Sequence, residues 1–377
     1  MQALLIVIDL TFINQRPKAI GLVWSVAGFL GTGGLSVVPY LSDHGRQWYL
    51  FYQRWSILAG LAFLAVFFFL PETYFKRPTV AFDGLILLQS ATEKLTVYED
   101  VEANLDIYRD LPEPPNEIRN STFLKRLLQQ LALTRSPFSS WSAMARCYSQ
   151  IIFCAVNPLL FWVLITSSFN FAGMMYIGST YGRILAEPPY SLPSSLIIIV
   201  NNCSGTGGLI AFAATCLISR YLTRLSKQNG GVREAEHYLI GYILPVISGG
   251  LSTLIYGLAV HYRWHFATFY LAYGLNGLSW VSLSIANTLW VTEAFPRWAA
   301  PALVVVGGGC YLVSFSMSFA LVRWIETQGI LIVGVELTVL QLVSGLIILP
   351  IAFWGKSARQ KINGRWASER SGALRPV

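Results

Sequence analysis

Charged side chains are scarce in this 377-residue chain: Asp, Glu, Lys and Arg make up 12% of it, roughly half the share of a soluble domain. That scarcity excludes an ordinary solvated surface around a globular core. Histidine is rarer still, with four residues, and Glu336 is the only acid well inside an apolar stretch. A membrane enzyme needs a convergent set of nucleophile, base or metal ligands, so neither catalysis nor a bound cofactor or metal is expected. His261 and His265 have the i, i+4 spacing of helical metal ligands, but no third ligand accompanies them and they read as an interfacial pair. The five cysteines, Cys147, Cys154, Cys203, Cys216 and Cys310, show neither disulfide nor metal spacing and read as small buried apolar residues.

What the chain does have is apolar length. It is 54% hydrophobic with a mean hydropathy of +0.52. About 20 apolar residues cross roughly 30 Å of hydrocarbon as a helix, and eight such spans are expected near 19–41, 50–70, 151–174, 194–219, 238–260, 265–289, 301–323 and 330–354. Membrane barrel strands would be about ten residues long and would alternate in polarity, whereas Leu58 to Leu70 is apolar on every face. The expected fold is therefore an all-α polytopic membrane protein. The first twelve residues are apolar from Ala3 to Ile8 and then meet Asp9; at about 18 Å they are too short to cross and read as the tail of a severed span.

Orientation follows from Lys and Arg. With the polar stretch 72–148 on the cytoplasmic side, 22 of the 27 basic residues fall there, and without that long loop the ratio is still 13 to 5. The net charge of +8 is then a topology signal. Its residues sit beside span ends and form no single patch, so nucleic acid is not an expected partner. The sequon at Asn120 would face the cytoplasm and stay unmodified.

Ten acids, nine basic residues and Pro112, Pro114 and Pro115 make 72–148 read as a mostly solvated linker. Near 122–133, Phe123, Leu124, Leu127, Leu128 and Leu131 share a helical face behind Ser121, the pattern of a helix lying on the membrane or on the span ends. The expected organisation is a partial transmembrane half over 1–71, this loop over 72–148, a second transmembrane half over 149–354 and a basic tail over 355–377.

One span is polar along a line. Tyr273, Asn276, Trp280, Ser284 and Asn287 fall within about 80° of arc at 100° per residue. Such side chains cost energy against lipid and should face other helices or an aqueous path. Asn157, Asn170, Asn201 and Asn202 are single-residue versions of the same feature, and Glu336, about 9 Å into its span, is a candidate for a solute or proton role. Glycines cluster at Gly28, Gly31, Gly33 and Gly34, at Gly205, Gly207 and Gly208, and at 307–309, where helices must approach closely or bend. Pro158, Pro245 and Pro301 mark kinks or helix starts.

The order of these features resembles the major facilitator superfamily, in its fungal drug:proton antiporter-like branch. Asp9 to Gly21, with Arg16, is similar to that family's turn between helices four and five, and Gly28-Phe-Leu-Gly31-Thr-Gly33-Gly34 with Pro39 to its glycine-rich fifth helix. Trp48, Phe51 to Trp55 and Pro71-Glu72-Thr73 resemble the sixth helix and its ending; Arg220, Arg224 and Asn229 to Glu236 the loop between helices eight and nine; Glu293-Ala-Phe-Pro296-Arg297 the loop after the tenth. The antiporter Gly-Pro followed by a glycine pair is absent, and Ser219 stands where that loop usually has an acid.

The resemblance implies two six-helix bundles with alternating access around a midplane site. This chain would supply a complete C-terminal six-helix half and a partial N-terminal half lacking the first three helices and most of the fourth. The implied path residues are the five of the stripe with Asn157, Asn170, Asn201, Asn202 and Glu336; the implied gating or motif residues are Arg16, Gly28, Gly31, Arg220, Arg224, Glu236, Glu293 and Arg297. The expected activity is proton-coupled movement of a small organic solute, with efflux as its direction; the alternative is a truncated, non-transporting membrane protein. The expected partners are the lipid bilayer, the solute and protons, with the chain monomeric. The plasma membrane is implied by the family, with the vacuolar membrane open.

Overall fold

Among the described residues, each stretch read as a span is helical over most of its length. The computed structural model describes residues 2–11, 15–42, 48–69, 81–82, 85–89, 95–98, 141–228, 234–295 and 298–366. The chain divides into one unit of residues 1–40 with 147–356 and another of residues 41–146 with 357–377.

In the first unit, α1 covers Gln2–Leu10 and α2 covers Arg16–Gly28. Pro17 sits in the first turn of α2, where its missing N–H costs nothing and its fixed φ suits a helix. The helix then widens into a π turn over Phe29–Gly33, tightens into a 3-10 turn over Gly34–Val37 and ends in α3, Val38–Leu41. The irregular part coincides with the glycine cluster. A Cβ added at Gly205 would stand 3.1 Å from the Gly33 Cα, so the two backbones meet because neither residue carries a side chain.

The second unit holds α4, Trp48–Phe69, and an antiparallel sheet of β1, Ala81–Phe82, β2, Leu85–Gln89, and β3, Leu95–Tyr98. The sheet lies within the stretch expected as a mostly solvated linker. Leu85-Ile-Leu-Leu and Leu95-Thr-Val-Tyr are short runs rich in aliphatic, β-branched and aromatic residues that pair well on a pleated surface, and the charge count of the whole loop concealed them. The amphipathic stretch near 122–133 lies outside the described residues.

The chain continues as α5, Trp141–Val156, and α6, Pro158–Ala186. The expected span 151–174 is thus divided at Asn157 and prolonged to Ala186. Pro158 has no N–H to continue α5, and Asn157, with ψ 119, caps α6 by accepting from the Leu159 amide at 3.0 Å. Then come α7, Ser194–Gln228, a 3-10 turn over Ala235–Tyr242, α8, Ile243–His261, and α9, Ala267–Ala294. The last helices are α10, Ala299–Gln328, α11, Ile330–Leu346, and α12, Ile348–Trp366. Gly329, at φ +86, is the whole turn between α10 and α11, a conformation glycine adopts without a Cβ penalty.

Seven helical stretches among the described residues are long and apolar enough to cross a bilayer: Arg16–Leu41, Tyr49–Phe68, Pro158–Ala186, Ser194–Gln228, Ala235–His261, Ala299–Gln328 and Ile330–Arg359. The remaining expected span, 265–289, folds as α9, which has the length but a more polar composition. Its position explains the difference. Nineteen of its 28 residues are buried, and a helix enclosed by protein needs polar partners, not lipid-compatible side chains.

Candidate functional site

The site forms where α9 lies between α6 and α7. On the α7 side the approach is a backbone contact: a Cβ at Gly277 would stand 2.7 Å from Ser204 Oγ, and one at Gly207 would run into the Gly274 carbonyl. Only residues without a side chain permit that spacing.

On the α6 side the polar stripe finds its partners in order along the helix. Tyr273 packs on Tyr181 at 5.6 Å between ring centroids, and Asn276 lies beside Gly173. Trp280 meets Phe171 at 4.9 Å, and Tyr311 meets Phe171 edge to face at 5.4 Å. The Asn287 amide donates to Ser167 Oγ at 2.7 Å. Ser284 turns back on its own helix, donating to the Trp280 carbonyl at 2.8 Å. The stripe is therefore a helix–helix seam. Asn276, Asn287 and Asn170 are 1%, 8% and 1% exposed, while Trp280 and Phe171 are half-buried.

Asn170 extends the seam across four helices. Its amide donates to Ser279 Oγ at 2.5 Å, Ser279 donates to the Pro245 carbonyl at 2.6 Å, and Gln341 Nε2 reaches the same carbonyl at 3.4 Å. These links join α6, α9, α8 and α11. The amide oxygens of Asn170, Asn276 and Asn287 are buried without a hydrogen-bond partner, an arrangement costing on the order of 1–3 kcal/mol for each.

The remaining candidates are dispersed. The Asn157 oxygen is committed to the α6 cap. Asn201 accepts from the Tyr181 hydroxyl at 3.1 Å, which places it at the Tyr273 end of the seam, whereas Asn202 is exposed on α7. Glu336 accepts from the Trp324 indole at 2.8 Å on the α10–α11 hairpin and is not part of the seam. Arg220 and Arg224 are exposed near the end of α7, and Glu236, half-buried, lies beside Gly355. Arg297 lies outside the described residues. His261 packs edge-on to Tyr262, and His265 Nδ1 accepts from the Ala267 amide at 3.3 Å. Among the described residues no three His, Cys, Asp or Glu side chains stand together as a metal site, and the five cysteines are free.

A second polar feature joins α2 to α9. Arg16 and Glu293 form an ion pair, and the Trp24 indole donates to Thr288 Oγ1 at 3.0 Å. Gly28 faces Val281 two turns further along. On the face of α9 opposite the stripe, a cavity of about 20 Å³ is lined by Pro17, Ile218, Leu222, Leu244, Ile285 and Leu289, room for about one water molecule and too little for a solute. Outside the spans, Tyr190 donates to the Trp264 carbonyl at 2.8 Å. Burial pushes its phenol up, and the nearby Arg263 guanidinium opposes that shift.

Sequence reasoning passed over Ser167, Phe171, Ser279 and Gln341. Gln341 had a signal, as an amide inside a span; the serines had none, because serine is common in helices that merely bond their own backbone.

The fold and seam define an integral, multi-pass helical membrane protein, and comparison with known proteins narrows its kind. No protein-family profile matches the chain. It is 24% identical over 379 residues to an uncharacterized MFS-type transporter of Schizosaccharomyces pombe, covering 93% of this chain and 64% of that protein. It is 25% identical over 302 residues to the efflux pump radE of Floropilus chiversii, covering 78% of this chain and 48% of that protein. The chain thus spans 64% and 48% of the lengths of these curated relatives, and its likeness is to an MFS-type transporter and an efflux pump. No solved structure matches it.

Proposed function

We propose that the protein carries a small organic solute across a membrane by alternating access, with protons as the coupling ion and export as the direction. The observation that carries this reading is the α6–α9 seam: an ordered row of amide, hydroxyl and aromatic side chains along one helix face, with three buried amide oxygens left without partners. A static bundle gains nothing from three buried amide oxygens without partners, whereas a bundle that opens and takes in a solute uses them in its other state. Similarity to an MFS-type transporter and to an efflux pump supports the same reading.

In this scheme the Arg16–Glu293 pair is a gate on the side of the basic residues, which the charge distribution assigns to the cytoplasm. Closing α2 against α9 makes the pair and the Trp24–Thr288 bond; opening that side breaks both. The plasma membrane is the proposed location, and the fungal drug:proton antiporters the proposed branch.

The test is flux in inverted membrane vesicles containing the full-length protein, energised by a proton gradient and supplied with a panel of fluorescent organic compounds. Accumulation of at least one compound that collapses with an uncoupler, and that falls about tenfold in an Asn276→Leu, Asn287→Leu variant present at the same membrane level, is expected. No gradient-dependent flux of any compound would leave a non-transporting membrane protein.

A further inference from the structure

The two asparagine–serine pairs of the seam are polarised in the same direction. A serine hydroxyl has one proton to donate. Ser279 donates its proton to the Pro245 carbonyl at 2.6 Å and Ser167 donates its own to the Val163 carbonyl at 2.7 Å. Each serine therefore meets its asparagine as an acceptor, which turns the NH2 of Asn170 and of Asn287 toward serine and leaves each amide oxygen free. Asn276 adds a third buried, unpartnered amide oxygen one turn from Ser279 on the same helix. What the three asparagines hold in reserve is hydrogen-bond acceptance.

Charge narrows the chemistry further. The only charged residues of α6 and α9 are Arg183 and Glu293, both near helix ends and paired, with Glu187 and with Arg16. An anion would meet carbonyl oxygens, and a cation would be desolvated with no counter-charge, at a cost of several kcal/mol. Phe171 and Trp280, half-buried and tilted at 58° to one another with centroids 4.9 Å apart, offer ring surface beside the amides.

We propose that this seam selects an uncharged solute bearing two or more hydroxyl or N–H donors on an aromatic frame, its donors received by the amide oxygens of Asn170, Asn276 and Asn287. The proposal rests on the transporter reading above and names the solute class for that same site.

The test is a matched pair of probes, resveratrol with three hydroxyls and its trimethyl ether with none, binding to the full-length protein in lipid nanodiscs. The ring frame is shared, so nonspecific partitioning does not favour the triol. Binding of the triol about tenfold tighter, the scale of one hydrogen bond lost in a buried site, is expected, and the preference should vanish in the Asn276→Leu, Asn287→Leu variant. Equal binding of the two probes, absence of binding by both, or equal binding of a carboxylate analogue of the triol would each overturn the proposal. A preference that survived in a variant shown by its thermal transition to be folded would overturn it as well, and the wild-type comparison decides if that variant does not fold. Proton-driven flux measured in parallel separates the two readings: flux with no donor preference sinks the selectivity alone, and donor preference with no flux sinks the transporter reading alone.

Discussion

Arg16 and Glu293, 277 positions apart in the chain, form an ion pair with side chains 10% and 23% exposed. The pair is the first of three contacts in antiparallel register: Arg16 to Glu293, Trp24 to Thr288, Gly28 to Val281. Moving up α2 means moving down α9, so two polar links and one tight apolar contact act along a single line.

Removing one partner of this pair should cost more than removing both. Glu293→Gln leaves a mostly buried guanidinium without its counter-charge, a loss of roughly 2–4 kcal/mol once partial exposure is discounted. An Arg16→Met, Glu293→Leu double variant should recover much of that. Thermal unfolding of the four proteins in one detergent gives the coupling; additive losses would mean that the pair is not energetically coupled.

Glycines that look alike in the sequence should behave differently. A Cβ at Gly277 meets Ser204 backbone and side chain, and one at Gly28 would stand 2.5 Å from Val281 Cγ2, but one at Gly31 or Gly308 meets nothing within 4 Å. Gly277→Ala should cost about 2 kcal/mol or more as α7 and α9 separate. Gly308→Ala should be neutral or stabilise by roughly 0.5–1 kcal/mol, since alanine favours helix. The difference in melting temperature between the two variants is the readout.

For Asn157 the expected role is a cap. Asn157→Ala should lose about 1 kcal/mol and Asn157→Ser or Asn157→Asp should retain most of it, with flux tracking stability across the series. Loss of flux in a stable Asn157→Asp protein would instead place the amide on the solute path.

Glu336→Gln keeps an oxygen for the Trp324 indole while removing the titratable group. Its stability should match the parent protein. Proton-driven flux unchanged between pH 5 and 8 would dismiss a proton role for this side chain; loss of the pH dependence would establish one.

Much of the candidate site was legible along single helices. The stripe from Tyr273 to Asn287 is a property of one helix's periodicity, and so is visible without neighbours. Its partners were not: Ser167 and Ser279 become significant only because each donates to a carbonyl and so orients an asparagine on the facing helix. Gly28 and Gly31 were indistinguishable until the position of Val281 separated them. The span over 265–289 folds as α9, more polar than the rest because composition measures fitness for lipid and α9 is enclosed by other helices.

The sequence by itself determined that this is a bundle of membrane helices, and it marked Pro158 as a break or helix start, since backbone satisfaction in lipid leaves helices as the option for apolar runs of this length. Only the tertiary structure decided what the polar residues do. Hydrogen-bond direction depends on which groups meet across an interface, and that meeting of Asn170 with Ser279, Asn287 with Ser167 and Arg16 with Glu293 is written in no one segment of the chain.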